Sequence, residues 1–295
     1  MFEARLDLSD SVLVRARMFK EILVCLEGSP SSDAALRTAM SIAALLPARL
    51  VGLAVVDEPD IRAGAAMGIG GAAFKHERDE ALVADAHARA AEWLNAFERR
   101  CRDAKIAAYA LEIVGRPADA ILEETDKHDL TVLGRDANFR FETASDDSKT
   151  REAILHKATR PVLVVPETVH DIGTRVVIAF DGSRAARRAL ASFAGSGLAT
   201  GREVYVATVD DNGARAWELA AEGVDLLKQQ RIPATPHNIV SALSNTDALF
   251  TFAESSGAGL LVMGAFAHSR LQHLFHGSVT RGIVERTTIP LYLQH

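Results

Sequence analysis

The chain has 295 residues, 48% of them hydrophobic and 24% charged, so it is long enough for about two globular domains and too apolar to be disordered. Its formal net charge of -6 argues against a large basic surface for nucleic acid or anionic lipid.

The cysteines and the first residues bear on the compartment in which the chain works. Cys25 and Cys101 are far apart and form no CxxC pair, which suits a reducing compartment and predicts neither a disulfide framework nor a metal centre. No apolar run approaches the roughly 20 residues that span a bilayer, and residues 1–17 carry carboxylates where a signal peptide would be apolar. We therefore expect a cytoplasmic protein with no membrane partner, and Met18 is an alternative first residue.

The first half begins with a strand, a tight loop and a helix. An apolar run over residues 20–26 is closed by Glu27-Gly28-Ser29, and a helical pattern follows from Ser32 to Ala44. A glycine-rich loop over 63–71 precedes a long helix from about Lys75 to Arg102. Further strands are predicted near 50–56, 107–114, 130–133 and 161–165.

The second half repeats this order. Its opening strand is closed by Asp181-Gly182-Ser183, which matches the first loop at an offset of about 154 residues. Later matches are about 130 residues apart, so the first half is longer in its middle by roughly 24 residues. The strands of the second half are predicted near 175–180, 203–209, 234–240, 259–263 and 290–293.

The order of elements predicts the fold class. Strands that alternate with helices and are apolar almost throughout are typical of parallel sheets covered by helices on both faces. We therefore expect two tandem doubly wound α/β domains, residues 18–166 and 174–295, each with a five-stranded, mainly parallel sheet. The segment from Pro166 to Thr174 is the predicted linker.

A ligand site is predicted at the carboxyl ends of the second-half strands, where open parallel sheets bind their ligands. Asp181 ends the first strand, Val209 the second, and Met263-Gly264 the fourth. Further along, Gly277-Ser278-Val279-Thr280 opens a predicted helix, whose free backbone N–H groups and positive dipole end favour phosphate.

These residues resemble the nucleotide signature of the universal stress protein family. In that family a glycine is followed by two residues, a second glycine, nine residues, a third glycine, and then serine or threonine. The corresponding residues here are Gly264, Ala267, Gly277 and Ser278, so three of the four positions match. The resemblance covers both halves, from about Met18 to His295, and implies the fold of that family.

The resemblance implies that the second domain holds ATP, with or without Mg²⁺. Val209 and Met263 would form apolar walls for adenine, and Asp181 would accept hydrogen bonds near the base or the sugar. The phosphates would contact a further set, namely Gly264, Gly277, the N–H groups of Ser278 and Val279, and the hydroxyls of Ser278 and Thr280. Taken one at a time, these are also ordinary strand residues and helix caps.

Ala267 departs from the signature. If its position requires a positive φ, alanine costs about 1 kcal/mol there, and its methyl group crowds a phosphate. The affinity for ATP then falls roughly tenfold.

The first half departs further from the signature. Its counterparts are Gly134, Ala137, Asp147 and Ser148, so that an aspartate replaces the third glycine, with Asp146 beside it. Two carboxylates there repel a triphosphate and add bulk where backbone has to approach. Glu27 also stands where the family has its strand-end aspartate. We expect this half to be structural or regulatory, with Asp147 and Ser148 as helix caps.

Other chemistries fit the sequence less well than nucleotide binding. His268, His273 and His276 have no carboxylate or cysteine at ligand spacing, so they are better interpreted as polar loop residues than as a metal centre, with His268 or Arg270 near phosphate. An adenylating enzyme would carry Ser-Gly-Gly-x-Asp-Ser or His-x-Gly-His in the first loop, which neither half has. No positioned base or metal-bound water is identified, so no catalytic residue is assigned.

Three hypotheses about function follow. The first is a stress-response protein that binds ATP and acts through ligand-dependent interaction, with slow hydrolysis left open because some relatives hydrolyse ATP. The second is a nucleotide-free interaction module, and the third is the adenylating enzyme. The last strands, Val162–Val165 and Leu291–Leu293, could also pair within one chain and give an internal pseudo-dimer, and a homodimer stays open.

Overall fold

The computed structural model describes residues 18–63, 72–137, 139, 148–169, 171–241, 243–264, 284 and 286–295. The first half contains β1 (Glu21–Cys25), α1 (Pro30–Leu45), β2 (Arg49–Val56), α2 (Glu58–Ala63), α3 (Ala72–Asp103), β3 (Ala108–Val114), α4 (Pro117–Lys127), β4 (Leu130–Gly134), α5 (Ser148–Lys157) and β5 (Val162–Val165). The second half contains β6 (Arg175–Ala179), α6 (Arg184–Ser196), β7 (Glu203–Val209), α7 (Gly213–Gln229), β8 (Thr235–Ile239), α8 (Asn245–Ser255), β9 (Leu260–Gly264) and β10 (Leu291–Gln294).

Within the described residues, all ten strands form one sheet in the order β3-β2-β1-β4-β5-β10-β9-β6-β7-β8. Each half contributes five strands in the same internal order, and the pairs within each half are parallel. The predicted fold, two doubly wound units with mainly parallel strands, is therefore confirmed.

The two halves join through an antiparallel pair. Leu291, Tyr292 and Leu293 of β10 lie opposite Val164, Leu163 and Val162 of β5, so the strands predicted to pair within the chain do so. Tyr292 is fully buried, and its hydroxyl hydrogen-bonds with Ser192 Oγ at 2.7 Å. Burial of this kind disfavours the phenolate and raises the pKa of Tyr292.

Apolar layers cover both faces of the sheet. One layer is built on α1, α3, α6 and α7, with Phe97 and Phe193 among its largest side chains. The other is built on α4, α5 and α8, with Ile121 and Phe250. Because each layer runs across both halves, the ten strands share one continuous core on each side.

The helices α1 and α6 begin where serine hydroxyls accept backbone N–H groups. Ser29 Oγ accepts from Ser32 N at 3.1 Å before α1, and Ser183 Oγ accepts from Ala186 N at 3.1 Å before α6. This bond satisfies one of the N–H groups that a helix start leaves without a partner. The two loops that precede the caps are therefore built alike.

The extra length of the first half lies after β2, as predicted. The long helix α3 has 32 residues, whereas its counterpart α7 has 17. The short helix α2 was not predicted; it has six residues and buries Ile61. No helix in the described ranges is long and apolar enough to cross a membrane.

Candidate functional site

Three neighbouring strands bring the predicted second-domain residues to one edge. In the sheet β6 lies between β9 and β7, and all three run parallel, so their carboxyl ends meet at the same side. Asp181 follows β6, Val209 ends β7, and Met263-Gly264 ends β9. The strand order reverses between β6 and β9, which is where doubly wound sheets hold ligands.

The strand-end loop that carries Asp181 is tightly organised. Asp181 Oδ1 accepts from the backbone N of Ser183 at 2.9 Å, and Gly182 between them has φ +74°. The aspartate side chain is half-buried. One carboxylate oxygen of Asp181 therefore holds the turn.

The ends of β6 and β7 are joined by hydrogen bonds. Thr208 Oγ1 donates to the carbonyl of Phe180 at 2.5 Å, and Phe180 N donates to Ala207 O at 2.9 Å. Val209, the next residue, is half-buried and lies opposite Ile239 of the edge strand β8. Its partly open apolar side chain can serve as the wall for a base.

On the other side of β6, Met263 and Gly264 end β9. Met263 is 8% exposed. At Gly264 a Cβ would lie 2.5 Å from the carbonyl carbon of Ala185 and 2.6 Å from Ala186 N, in the first turn of α6. Only glycine allows β9 to approach the helix start this closely.

The phosphate part of the predicted site lies outside the described residues. This applies to Ala267, Gly277, Ser278, Val279 and Thr280, whose roles stay predictions. His268, Arg270, His273 and His276 lie outside them as well. Among the residues that are described, no group of three or more His, Cys, Asp or Glu side chains is placed to hold a metal ion.

The first half has the same framework but a different lining. Glu27 is 8% exposed, and its carboxylate accepts both the backbone N and the hydroxyl of Ser29. The longer side chain thus bends back onto its own loop. Trp93 of α3 packs against Gly28 of this loop, where a Cβ would lie 2.5 Å from the indole Nε1.

Two apolar residues of the loop after β4 are buried in the core. Ala137 is 3% and Phe139 5% exposed, and both belong to the core layer built on α4 and α5. Asp136 N donates to Ser31 Oγ at 3.2 Å, which ties this loop to the start of α1. The predicted carboxylates Asp146 and Asp147 lie outside the described residues, as does the side chain of Ser148.

Two features of this region were not predicted from the sequence. Phe139 is an apolar residue in a polar stretch, and this was the available signal for its burial. The guanidinium of Arg135 donates to the carbonyl of Thr287 in the second half, 2.9 Å from Nη1. No local pattern indicates a contact between residues so far apart in sequence.

The two cysteines are not placed for chemistry. Both are buried and neither is in a disulfide. Burial, and secondarily the charge of Glu27, raise the pKa of the Cys25 thiol. Burial raises the pKa of Cys101 to about 11. A buried, protonated thiol is a poor nucleophile and a poor metal ligand.

Comparisons with known proteins agree with the repeat seen in the fold. A sequence model of the universal stress protein family matches residues 18–166 and 174–294. Universal stress protein Slr1230 of Synechocystis sp. is 27% identical over 165 residues, which are 55% of this chain and 56% of that protein. The chain thus spans a little over half the length of this curated relative.

A solved structure shows the same architecture over nearly the whole chain. A universal stress protein from Archaeoglobus fulgidus covers 94% of this chain and 97% of its own, with a TM-score of 0.70 and 18% identity. A universal stress protein from Arabidopsis thaliana, solved with AMP bound, covers 50% of this chain and 91% of its own, with a TM-score of 0.34 and 13% identity.

Proposed function

Because this chain belongs to the universal stress protein family, we propose that it binds ATP at the carboxyl edge of its second domain and acts in stress response through ligand-dependent interaction. The observation that carries the proposal is the meeting of Asp181, Val209 and Met263 at the ends of three adjacent parallel strands. The signature residues Gly264, Gly277 and Ser278 add the sequence support.

The chemistry of the edge suits an adenine nucleotide. Val209 and Met263 offer an apolar slot, while Asp181 offers an acceptor for a base amino group or a ribose hydroxyl. The phosphates are assigned to Gly277, Ser278, Val279 and Thr280 at a predicted helix start, with Mg²⁺ as an accompanying ion. Ala267 lowers the affinity and does not remove the remaining donors.

The first domain is proposed to be a partner in an internal pseudo-dimer, not a second nucleotide site. In its counterpart loop Ala137 and Phe139 are buried, and the strand-end carboxylate of Glu27 accepts hydrogen bonds from Ser29. Two buried, unpaired cysteines support a reducing compartment, so we assign the protein to the cytoplasm.

Calorimetric titration of ATP with Mg²⁺ tests the proposal. We expect about one ATP per chain, and loss of binding in a Gly277→Asp variant that copies the first half. Gly195→Asp is the matched control, because a Cβ at Gly195 would meet no atom within 4 Å. Absence of binding to the parent chain would overturn the ATP proposal and leave a nucleotide-free interaction module, which Ala267 favours.

A further inference from the structure

A cavity of about 710 Å³ lies at the amino edge of the second-half sheet. It is lined by Thr174 just before β6, by residues 199–203 around the start of β7, and by residues 230–233 after α7. Its volume is within the range of about 300–1,000 Å³ that is usual for sites of small ligands. Because β6 and β7 run parallel, the cavity lies at the edge opposite to the carboxyl edge assigned to the nucleotide.

The charged lining of this cavity is mainly cationic, with three arginines and one glutamate, namely Arg175, Arg202, Arg231 and Glu203. Glu203 is already paired with Arg175, whose Nε and Nη2 lie 2.8 Å and 2.6 Å from its Oε2. Within the described ranges neither Arg202 nor Arg231 is in an ion pair with a carboxylate. In a chain with a net charge of -6, this local excess of positive charge favours an anion.

Arg202 is held by backbone carbonyls. Its Nε donates to Gly173 O and its Nη1 to Leu198 O, each at 2.8 Å, and the residue is half-buried. Its Nη2 makes no hydrogen bond with a described residue. Burial lowers the pKa of Arg202, and the charge of Asp171 opposes this shift. An anion would compensate a guanidinium that has lost part of its hydration, through donors whose direction is already set.

Arg231 has a backbone conformation that favours glycine. Its φ is +61°, in the turn where Ile232 N donates to Leu227 O at 3.0 Å and closes the end of α7. In the equivalent turn after α3, Lys105 has φ +56°. Among the described residues these two are the non-glycine residues with positive φ. The helix dipole favours a cation at each turn, but it does not explain a second arginine beside the same cavity.

The first half has an equivalent cavity with a different lining. That cavity has a volume of about 940 Å³, and Lys105 and Arg49 are among its lining residues. Arg49 begins β2 as Glu203 begins β7, so Ala48 stands where the second half has Arg202. The first half thus has the cation at the left-handed turn and lacks the arginine that the carbonyls hold.

We propose that the second-half cavity binds the phosphate group of a small ligand, with Arg202 and Arg231 as the cationic donors. The hydroxyls of Thr174 and Thr200, which also line the cavity, can donate to the same group. Guanidinium groups match the oxygens of phosphate, and two of them balance the charge of a dianion. This inference does not rest on the proposed function, because the cavity lies at the opposite edge of the sheet.

Calorimetric titration of inorganic pyrophosphate tests the inference. The protein is the Gly277→Asp variant, so that the carboxyl edge assigned to ATP does not take the probe. In this background Arg231→Gln should weaken binding about tenfold, roughly the loss of one charge-assisted hydrogen bond. Lys105→Gln is the matched control, because it removes one positive charge at the equivalent turn of the first half, and it should bind as the background does. No binding of pyrophosphate, or an equal loss in the two variants, overturns the inference.

Thermal unfolding separates binding from a purely structural role. In Arg231→Gly the ligand-free midpoint should equal or exceed that of the background, because glycine adopts the left-handed conformation readily. Pyrophosphate should raise this midpoint less than it raises that of the background. An undiminished rise overturns the inference and leaves Arg231 as a cation at a helix end. Orthophosphate in the same assay distinguishes the sources: a rise as large as with pyrophosphate identifies the free ion, and a smaller one identifies a larger phosphate compound.

Discussion

Arg175 and Glu203 form an ion pair, 2.6 Å from Nη2 to the carboxylate, across the first residues of β6 and β7. In the first half Glu21 and Arg49 pair in the same register across β1 and β2, with the charges exchanged. Both halves thus have this ion pair, with the acidic and the basic residue exchanged between the two strands. In each half the arginine also lies 5.2 Å from the centre of a tyrosine ring.

Arg175 and Glu203 are predicted to contribute unequally to the stability of the fold. Arg175 also donates to the carbonyl of Ser256 just after α8, whereas Glu203 is 63% exposed and accepts mainly from Arg175. Exposed ion pairs contribute little by themselves. We expect Arg175→Gln to lower the thermal unfolding midpoint and Glu203→Gln to leave it nearly unchanged; equal losses in the two variants would contradict this ranking.

Gly264→Ala should destabilise the second domain by about 1–3 kcal/mol, the usual range for a forced backbone shift in a packed interior. The added methyl group meets the backbone of Ala185 and Ala186, which cannot move without disturbing the start of α6. Gly195→Ala is the control, since it adds a methyl group in open space on the same helix and should be neutral or slightly stabilising. Urea denaturation measures both, and equal stabilities would refute the close approach.

Phe139→Ala should cost about 3 kcal/mol of stability, because it removes a buried ring from the core layer under α5. It should leave ATP binding as it is, because the ring lies in the first domain, where no nucleotide site is proposed. Denaturation and calorimetric titration of the same sample check both parts. A second ATP bound per chain in this variant would show that the ring was blocking a competent site.

The pH dependence of stability should report on His87 of α3. Its Nε2 lies 3.1 Å from a carboxylate oxygen of Glu58 on α2, and its Nδ1 lies 2.6 Å from one of Glu112 on β3. Both nitrogens can donate only when the ring is protonated. These bonds, that to Glu58 first, raise the pKa of His87 above its ordinary value of 6.5.

A raised folded-state pKa stabilises the fold at low pH. The contribution of His87 is complete below the ordinary pKa and disappears as pH rises through the raised value. His87→Gln should therefore lose most stability relative to the parent near pH 6 and little near about pH 9. His76→Gln is the control, because His76 is 77% exposed and 4.0 Å from its carboxylate neighbour. A pH-independent difference between His87→Gln and the parent would contradict the assignment.

The fold was predictable because a strand that is buried on both faces of a sheet consists of consecutive apolar residues, which can be recognised in the sequence. Two such runs, without the spacing of an amphipathic helix, are 162–165 and 260–263. The helix α2 was missed because six residues with one buried side chain, Ile61, carry no period. The close approach of Gly264, at the end of β9, to the start of α6 was not predicted, since this glycine was expected to contact phosphate.

The candidate site was predictable only in part. Asp181 and Val209 could be placed because parallel strands end at a common edge. Arg135 could not, since its partner Thr287 is brought near by the pairing of β5 with β10 and not by any local pattern. The same holds for Phe139, whose burial depends on how the loop after β4 folds back onto the core.

The antiparallel join also bears on how the chain is made. The strand β10 is synthesised long after β5, so β5 emerges from the ribosome with one side unpaired and stays so until β10 has been made. Until then Val162–Val165 is an apolar sheet edge, open to the same strand of another nascent chain. If β5 of one chain instead pairs with β10 of another, the two chains exchange halves and form a swapped dimer that keeps the native strand pairing. The covalent tether works against this outcome, because it keeps the correct partner at high local concentration throughout synthesis.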